Sequence, residues 1–325
     1  MTYGVSIKQA AAWAIVGLAV SATSAFAQDW PTKQVRVIVP FSAGSATDIV
    51  PRIVFEQVQA NTGKTFIVEN RPGAGFAVGV GAVKTADPDG YTVLVHSNAL
   101  VTTPAIQTTN WDPVQDFSGL TPLGNVPLVL VISPEKNIKT LKQLVDHAKA
   151  NPGALNYGAA GIGSPPHLTM ERFRMAAGFT GQLVPFKGAP EALTEVATGR
   201  IDVYFSPLAP AISLIQAGKV LPLAVSSMRR AAALPDVPTT TEAGYANSDF
   251  EFYVGMYVAK KTPPGVVAKM HAETVKALNN PNVKDKLAKI GVEPLIVTPA
   301  EFDARIAKEA PLAVELAKAA GIQRQ

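Results

Sequence analysis

Val35-Arg36-Val37-Ile38-Val39-Pro40-Phe41-Ser42-Ala43-Gly44-Ser45-Ala46-Thr47-Asp48 is the stretch on which the fold turns. A β-rich run ends at Pro40 and a loop of small residues follows. Apolar side chains then recur at four-residue spacing, Ile49 with Ile53 and Val50 with Val54 and Val58, until Asn61-Thr62-Gly63 stops the pattern. That order predicts a strand, a loop and an amphipathic helix. Phe66-Ile67-Val68 predicts a second strand. Arg71-Pro72-Gly73-Ala74-Gly75 turns into a small-residue helix reaching Thr85, and Tyr91 to Val95 predicts a third strand. Two successive βαβ units read as a parallel sheet with helices on its faces. Pro51 has no N–H to give, so the cap of the first helix is expected at Asp48 or later. The Asp48 carboxylate is then expected to face its own backbone or a cationic group of a ligand.

Outward from this unit, residues 112–124 read as irregular and punctuated by proline, and Val126 to Ile132 opens a second series. Strands are predicted over 156–159, 182–186, 201–205 and 221–225, alternating with helices over 141–150, 167–177, 190–198 and 212–217. After a second irregular stretch, 226–248, the apolar run Phe250 to Ala259 predicts a strand that returns to the first series. Helices over 266–279, 283–290 and 299–320 finish the chain. The pattern predicts two α/β lobes joined by two crossings, residues 28–124 with 250–300 in one lobe and 125–249 in the other. The lobe of residues 301–325 stays open.

Composition agrees with two lobes. The chain has 325 residues, 47% hydrophobic and 17% charged, enough for two cores at about 150 residues per domain. It has no cysteine, which excludes disulfides, thiolate metal sites, a cysteine nucleophile and a lipidated N-terminal cysteine. Basic residues form no run longer than the pairs Arg229-Arg230 and Lys260-Lys261, so nucleic acid is not an expected partner.

Several motif-like stretches do not survive inspection. Gly73-Ala74-Gly75 has Val78 where a dinucleotide fingerprint needs its third glycine, and His96-Ser97-Asn98 ends the next strand without a ribose-binding acid. Asn61-Thr62-Gly63-Lys64-Thr65 leaves a helix, whereas a P-loop enters one. Ser133-Pro134-Glu135-Lys136 matches S-x-x-K without its companion motifs. His96, His147, His167 and His271 stand apart, with no H-E-x-x-H and no G-x-S-x-G. No catalytic residue, metal site or cofactor is expected.

Two loops built alike remain. Phe41, Ser42, Ala43, Gly44, Ser45, Ala46, Thr47 and Asp48 join a strand's carboxyl end to a helix N-terminus in the first series, and Gly158 to Ser164 do so in the second. Helix N-termini at that edge of an open α/β sheet present unpaired N–H groups and partial positive charge. Ser164-Pro165 reads as N-cap and N1, which leaves Gly161, Ile162 and Gly163 in the loop with free donors. Each loop alone also fits an ordinary βα turn; one in each lobe points to a cleft for a carboxylate or other small anion. Lys187, at a strand end, either adds a cation to that cleft or is a solvated surface lysine.

From residue 28 onward the chain resembles the periplasmic solute-binding proteins of tripartite tricarboxylate transporters, the Bug family. The resemblance rests on Val37-Ile38-Val39-Pro40-Phe41 with Gly44 and Thr47-Asp48-Ile49, on Val68-Glu69-Asn70-Arg71-Pro72-Gly73-Ala74-Gly75, and on Asp89-Gly90-Tyr91. Gly163-Ser164 with His167-Leu168, Lys187-Gly188, Gly199-Arg200-Ile201-Asp202-Val203 and Leu234-Pro235-Asp236-Val237-Pro238-Thr239 extend it. It implies a two-lobe periplasmic binding protein of the Venus flytrap type (type II), each lobe a mainly parallel sheet flanked by helices, with two crossover strands. It further implies a monomer that closes on a small carboxylate and delivers it to the permease subunits of a tripartite tricarboxylate transporter. The same resemblance gives Phe41 through Thr47 and Gly161 through Ser164 the grip on that carboxylate, with Ser97 and Asn98 lining the cleft and His167 beside the second loop. Ser206 stands where the family commonly has an acid, which favours a purely acidic ligand. A sensor for a membrane signalling protein and an enzyme on the same scaffold are the alternative readings.

Lys8, the apolar run Ala10 to Val20 and the ending Ala25-Phe26-Ala27 read as a secretory signal over residues 1–27. Its apolar run is too short to span a bilayer, so no stable membrane insertion is expected. Asp29-Trp30-Pro31 breaks any continuation. Removing this segment takes away Lys8 and no acid, so the formal net charge falls from +4 to +3. The protein recovered from the periplasm of an expressing bacterium is expected to begin at Gln28, and intact-mass measurement checks it.

Overall fold

The computed structural model describes residues 30–319 together with 322 and 324; the predicted signal segment lies outside them. All architecture below belongs to the unit Pro31–Gln325. One five-stranded sheet has the spatial order β2 (Phe66–Asn70), β1 (Val35–Val39), β3 (Thr92–Ser97), β10 (Tyr253–Ala259), β4 (Phe117–Asn125). The other five-stranded sheet runs β7 (Gly181–Pro185), β6 (Leu155–Ala159), β8 (Val203–Pro207), β5 (Leu128–Ile132), β9 (Leu221–Val225). The helices are α1 (Ala46–Thr62), α2 (Ala77–Lys84), α3 (Ala99–Thr102), α4 (Leu141–Ala150), α5 (Pro165–Ala177), α6 (Ala189–Ala197), α7 (Leu208–Gln216), α8 (Pro264–Leu278), α9 (Pro281–Lys289) and α10 (Pro299–Ala319).

Within each sheet one strand runs against the others. β10 is antiparallel to β3 and β4, and β5 is antiparallel to β8 and β9, whereas β1 pairs in parallel with β2 and β3, and β6 with β7 and β8. The reversed strands are those that arrive from the other sheet. β5 follows β4 through Val126-Pro127, and β10 follows β9 through residues 226–252. A chain leaving one sheet at its carboxyl edge enters the other from that same edge, so it opposes the strands that end there.

The two crossings bond to each other. Val126 N–H donates to the Phe252 carbonyl at 2.8 Å, Ser226 N–H to Leu128 at 2.9 Å and Phe250 N–H to Ser226 at 2.9 Å. Leu208 N–H donates to the Pro127 carbonyl at 2.9 Å, so α7 starts from this junction as well.

Two expectations need correction. The cap of α1 is Ser45, in extended conformation, and not Asp48 or later, so Pro51 lies inside the helix. The lost N–H is tolerated because the turn is fixed from the other side. The Asp48 carboxylate accepts Gly44 N–H at 2.8 Å, while the Ser45 carbonyl accepts from Asp48 and Ile49 N–H at 2.9 Å each. Residues 112–124 are not wholly irregular either, since Phe117–Asn125 forms β4. Gly119, Pro122 and Gly124 hide it in the sequence. An edge strand tolerates them, and its pairing with β10 shifts register twice.

Cores follow the periodicities. Val50, Val54 and Val58 are buried along α1, and Gly63, at φ 66°, ends the helix with its N–H on the Gln59 carbonyl at 2.9 Å. In the second lobe Val129, Val131, Leu193, Val196, Tyr204 and Ile212 form one buried cluster. The last helix, α10, lies against the first sheet. Phe302 packs on Tyr253 and Tyr257 with ring centroids 5.7 and 5.2 Å away, and Asp303 accepts Gly119 N–H at 2.7 Å. Phe302→Ala is expected to cost about 3–5 kcal/mol, the usual range for a buried phenylalanine, measured as a fall in the urea midpoint.

Candidate ligand-binding site

The carboxyl ends of β1, β3, β6, β7 and β8 bring five chain segments to the junction between the sheets. Phe41, Ser45, Ala46, Thr47 and Ser97 from one side, and Ala160, Pro165, Pro166, Ala189 and Pro207 from the other, line a small cavity of about 20 Å³. Phe252, from the second crossing, completes it. That is room for about one water molecule, so the two loops meet closely here. Among the described residues no charged side chain lines it.

The lobes are closed around this space. Thr102 Oγ1 donates to the Gly163 carbonyl at 2.7 Å across the gap, and Ser42 N–H reaches the Lys187 carbonyl at 3.5 Å. Gly188 makes the approach possible, because a Cβ there would fall 2.0 Å from Ser42 Oγ and 2.7 Å from Ser45 Oγ.

Polar atoms on and beside these segments are short of partners. Ser42 Oγ, Thr47 Oγ1, Asn98 Oδ1 and Ser164 Oγ are all buried with no hydrogen-bond partner. The N–H groups of Ala46 and Thr47, at the first two positions of α1, have no acceptor among the described residues. Leaving a buried polar group unsatisfied costs about 1–3 kcal/mol. Thr47 lines the cavity, and Ser42, Asn98 and Ser164 are chain neighbours of the lining residues Phe41, Ser97 and Pro165. Hydroxyls and helix N–H groups donate to a carboxylate, and the dipole of α1 adds partial positive charge. Asn98 Nδ2 donates to the Glu251 carbonyl at 3.0 Å, which aims Oδ1, an acceptor, away from that bond.

The other residues singled out in the sequence take different places. Asp48 is buried and committed: Oδ2 accepts Gly44 N–H, and Oδ1 accepts Arg52 Nε at 2.8 Å and Asn70 Nδ2 at 2.9 Å. Ser45 Oγ donates to the Ser42 carbonyl at 2.7 Å, Ser97 Oγ accepts Ala99 N–H at 3.2 Å, and Ser206 Oγ donates to Pro207 at 2.9 Å. Gly163 N–H is not a free donor as the loop reading expected, since it goes to His167 Nδ1 at 3.1 Å. That bond requires an unprotonated Nδ1, and burial lowers the His167 pKa accordingly. Lys187 is exposed, and with Gly161 and Ile162 it lines a neighbouring groove. Gly44 and Pro190 face another groove, and Ala43 is exposed.

The sequence reading missed Ala160, Pro165, Pro166, Ala189, Pro207 and Phe252 as lining. Ala189 and Pro207 follow from the strand-end rule applied to β7 and β8. Phe252 carries no such signal, because only the hydrogen-bonded crossings bring it there.

His96 supports the first lobe's wall. Its ring lies 5.1 Å from both Phe41 and Phe76, Nδ1 donates to the Ser97 carbonyl at 3.0 Å, and Nε2 is buried without a partner. Desolvation pushes its pKa down to about 3. Among the described residues no group of three or more His, Asp or Glu comes together that could hold a metal ion.

Two five-stranded sheets flanked by helices and joined by two bonded crossings have the architecture of a two-lobe periplasmic binding protein. The chain belongs to the tripartite tricarboxylate transporter receptor family, whose model matches residues 50–319. It is 33% identical over 318 residues to the UPF0065 protein in the gbd 5' region of Cupriavidus necator, covering 95% of this chain and 96% of that one. The structure of R. palustris Rpa4515 with adipate superposes with a TM-score of 0.88 at 28% identity, covering 91% of this chain and 100% of that one. The periplasmic binding protein BugD superposes with a TM-score of 0.87 at 30% identity, covering 91% of this chain and 100% of that one. Among the described residues no helix is long and apolar enough to cross a membrane.

The histidine sets a pH dependence. An unfolded histidine titrates near 6.5 and His96 in the fold near 3, so the unfolded chain binds the extra proton between these values and stability falls as pH is lowered through that window. The expected slope from His96 is about 1.4 kcal/mol per pH unit. Urea titrations from pH 6.5 to 4 should show the wild-type slope exceeding that of His96→Asn by this amount; equal slopes would contradict the assignment.

Proposed function

We propose that the protein captures a small carboxylate, a di- or tricarboxylate or an aromatic acid, between its lobes in the periplasm. It then passes the acid, chemically unchanged, as a monomer to the permease of a tripartite tricarboxylate transporter. The observation that carries this is the set of unpartnered donors, Ser42 Oγ, Thr47 Oγ1 and Ser164 Oγ, beside the bare N–H groups of Ala46 and Thr47. A carboxylate is the small anion these donors complement. The adipate in Rpa4515 supports the class. With no charged side chain in the lining, binding rests on hydrogen bonds and the helix dipole, and closure follows from the better contacts the acid makes with the closed lobes.

A thermal-shift screen of dicarboxylates, tricarboxylates and aromatic acids tests it. An acid at 100 times its Kd should add about 2.7 kcal/mol of stability. Thr47→Val and Ser164→Ala each remove an unpartnered hydroxyl, so they should leave the unliganded protein as stable as before or more so, while weakening the acid about tenfold. No stabilising acid, or conversion of one into product, sinks the proposal.

A further inference from the structure

The last helix, α10, touches both lobes. Its first half is anchored on the first sheet: Phe302 packs on Tyr253 and Tyr257, Asp303 accepts Gly119 N–H at 2.7 Å, and Glu309 accepts the Tyr253 hydroxyl at 2.7 Å. Arg305 reaches the second crossing, where it donates to the Glu251 carboxylate at 3.0 Å. Past these anchors the helix carries Leu316 and Ala317 to a separate apolar cluster.

That cluster has three buried members, Ile106, Leu168 and Ala317. Ile106 follows the single turn Thr103–Ala105 of the first lobe, and Ala317 lies in the last turn of α10. Leu168 comes from α5 of the second lobe. It is 1% exposed, and its buried partners in the cluster both come from outside its own lobe. Ile162, from the loop before α5, packs against them, as do the half-buried Leu316 and Phe250 of the second crossing. The polar contact between the lobes lies nearby in the chain, from Thr102 Oγ1 to the Gly163 carbonyl.

We propose that the end of α10 is an apolar latch between the lobes, which favours the closed form before any guest arrives. None of Ile106, Leu168, Leu316 and Ala317 lines the cavity between the loops, so the latch acts whatever the cleft holds. Its buried apolar surface works against the unpartnered hydroxyls, which oppose the empty closed state. Apolar contact is non-directional, which suits a joint that parts and reseals. The fraction of empty protein that is closed then scales the affinity for a guest.

The test needs no ligand. The chain has no cysteine, so Ala46→Cys supplies a single thiol at a buried position that lines the cavity opposite Pro165, Ala189 and Pro207 of the second lobe. A maleimide reaches it when the lobes part. Labelling rates are compared for this reporter alone and with Leu316→Asp, Ala317→Asp or Leu168→Ala, melting curves establishing which variants are folded. Leu316 lies at the helix surface beyond the anchors, so its substitution leaves the cores of both lobes intact. Each substitution is expected to speed labelling about tenfold, the factor that one leucine's burial is worth, and to enlarge the radius of gyration in solution scattering. Folded variants that label at the reporter's own rate overturn the latch. So does a reporter protein whose scattering already fits parted lobes.

Discussion

The hydrogen bond from Val126 N–H to the Phe252 carbonyl, with its neighbours at Ser226 and Phe250, ties together the two crossings on which the remaining geometry depends. Each sheet alone has helix N-termini at its carboxyl edge but nothing to face. Bonding one crossing to the other sets the two edges opposite each other, so α1 and α5 begin on either side of a single cavity. The same junction reverses β5 and β10 within their sheets and delivers Phe252 to the cavity wall. Two crossings, the short Val126-Pro127 and the longer stretch of residues 226–252, are the hinge at which lobes of this kind part, and few backbone bonds need to rearrange there.

Unsatisfied hydroxyls are the energetic counterpart of that freedom. Each buried donor without an acceptor works against the closed state, while contacts such as Thr102 Oγ1 to Gly163 work for it. A guest that accepts from Thr47 and Ser164 removes the opposing contribution without disturbing the favourable one. Closure then answers to occupancy. A salt bridge would add attraction, but it would also leave a buried charge in the empty protein, a cost that neutral donors avoid.

Much of this was legible in the sequence, for local reasons. The β-rich run 35–39, the four-residue spacing of Val50, Val54 and Val58, and the Ser164-Pro165 start of α5 are local signals, and tertiary packing keeps them. Local reasoning failed where a distant partner decides the outcome. Pro51 reads as a reason to delay the cap, yet Asp48 and Gly44 fix the turn ahead of it. Phe117–Asn125 reads as loop because Gly119 and Gly124 lack side chains, for which Phe302 and Val292 leave no room. Gly163 reads as a free donor until His167, one helical turn on, presents Nδ1. The adjacency of Phe76 to Gly161 has no local signature, since it exists only when the lobes close.

The two loops that look alike in the sequence are not equivalent in chemistry. α1 begins Ala46-Thr47, and both residues keep an N–H to offer; α5 begins Pro165-Pro166, and neither has one. The dipoles of both helices point positive charge at the cavity, but only α1 backs it with backbone donors in its first two positions. α5 offers the Ser164 hydroxyl and a dry proline surface. A carboxylate bound as proposed would therefore be drawn to the first lobe, with the mainly apolar surface of the second lobe facing the remainder of the molecule. On the proposed reading, an acid with an apolar body fits that polarity in one orientation, carboxylate toward α1.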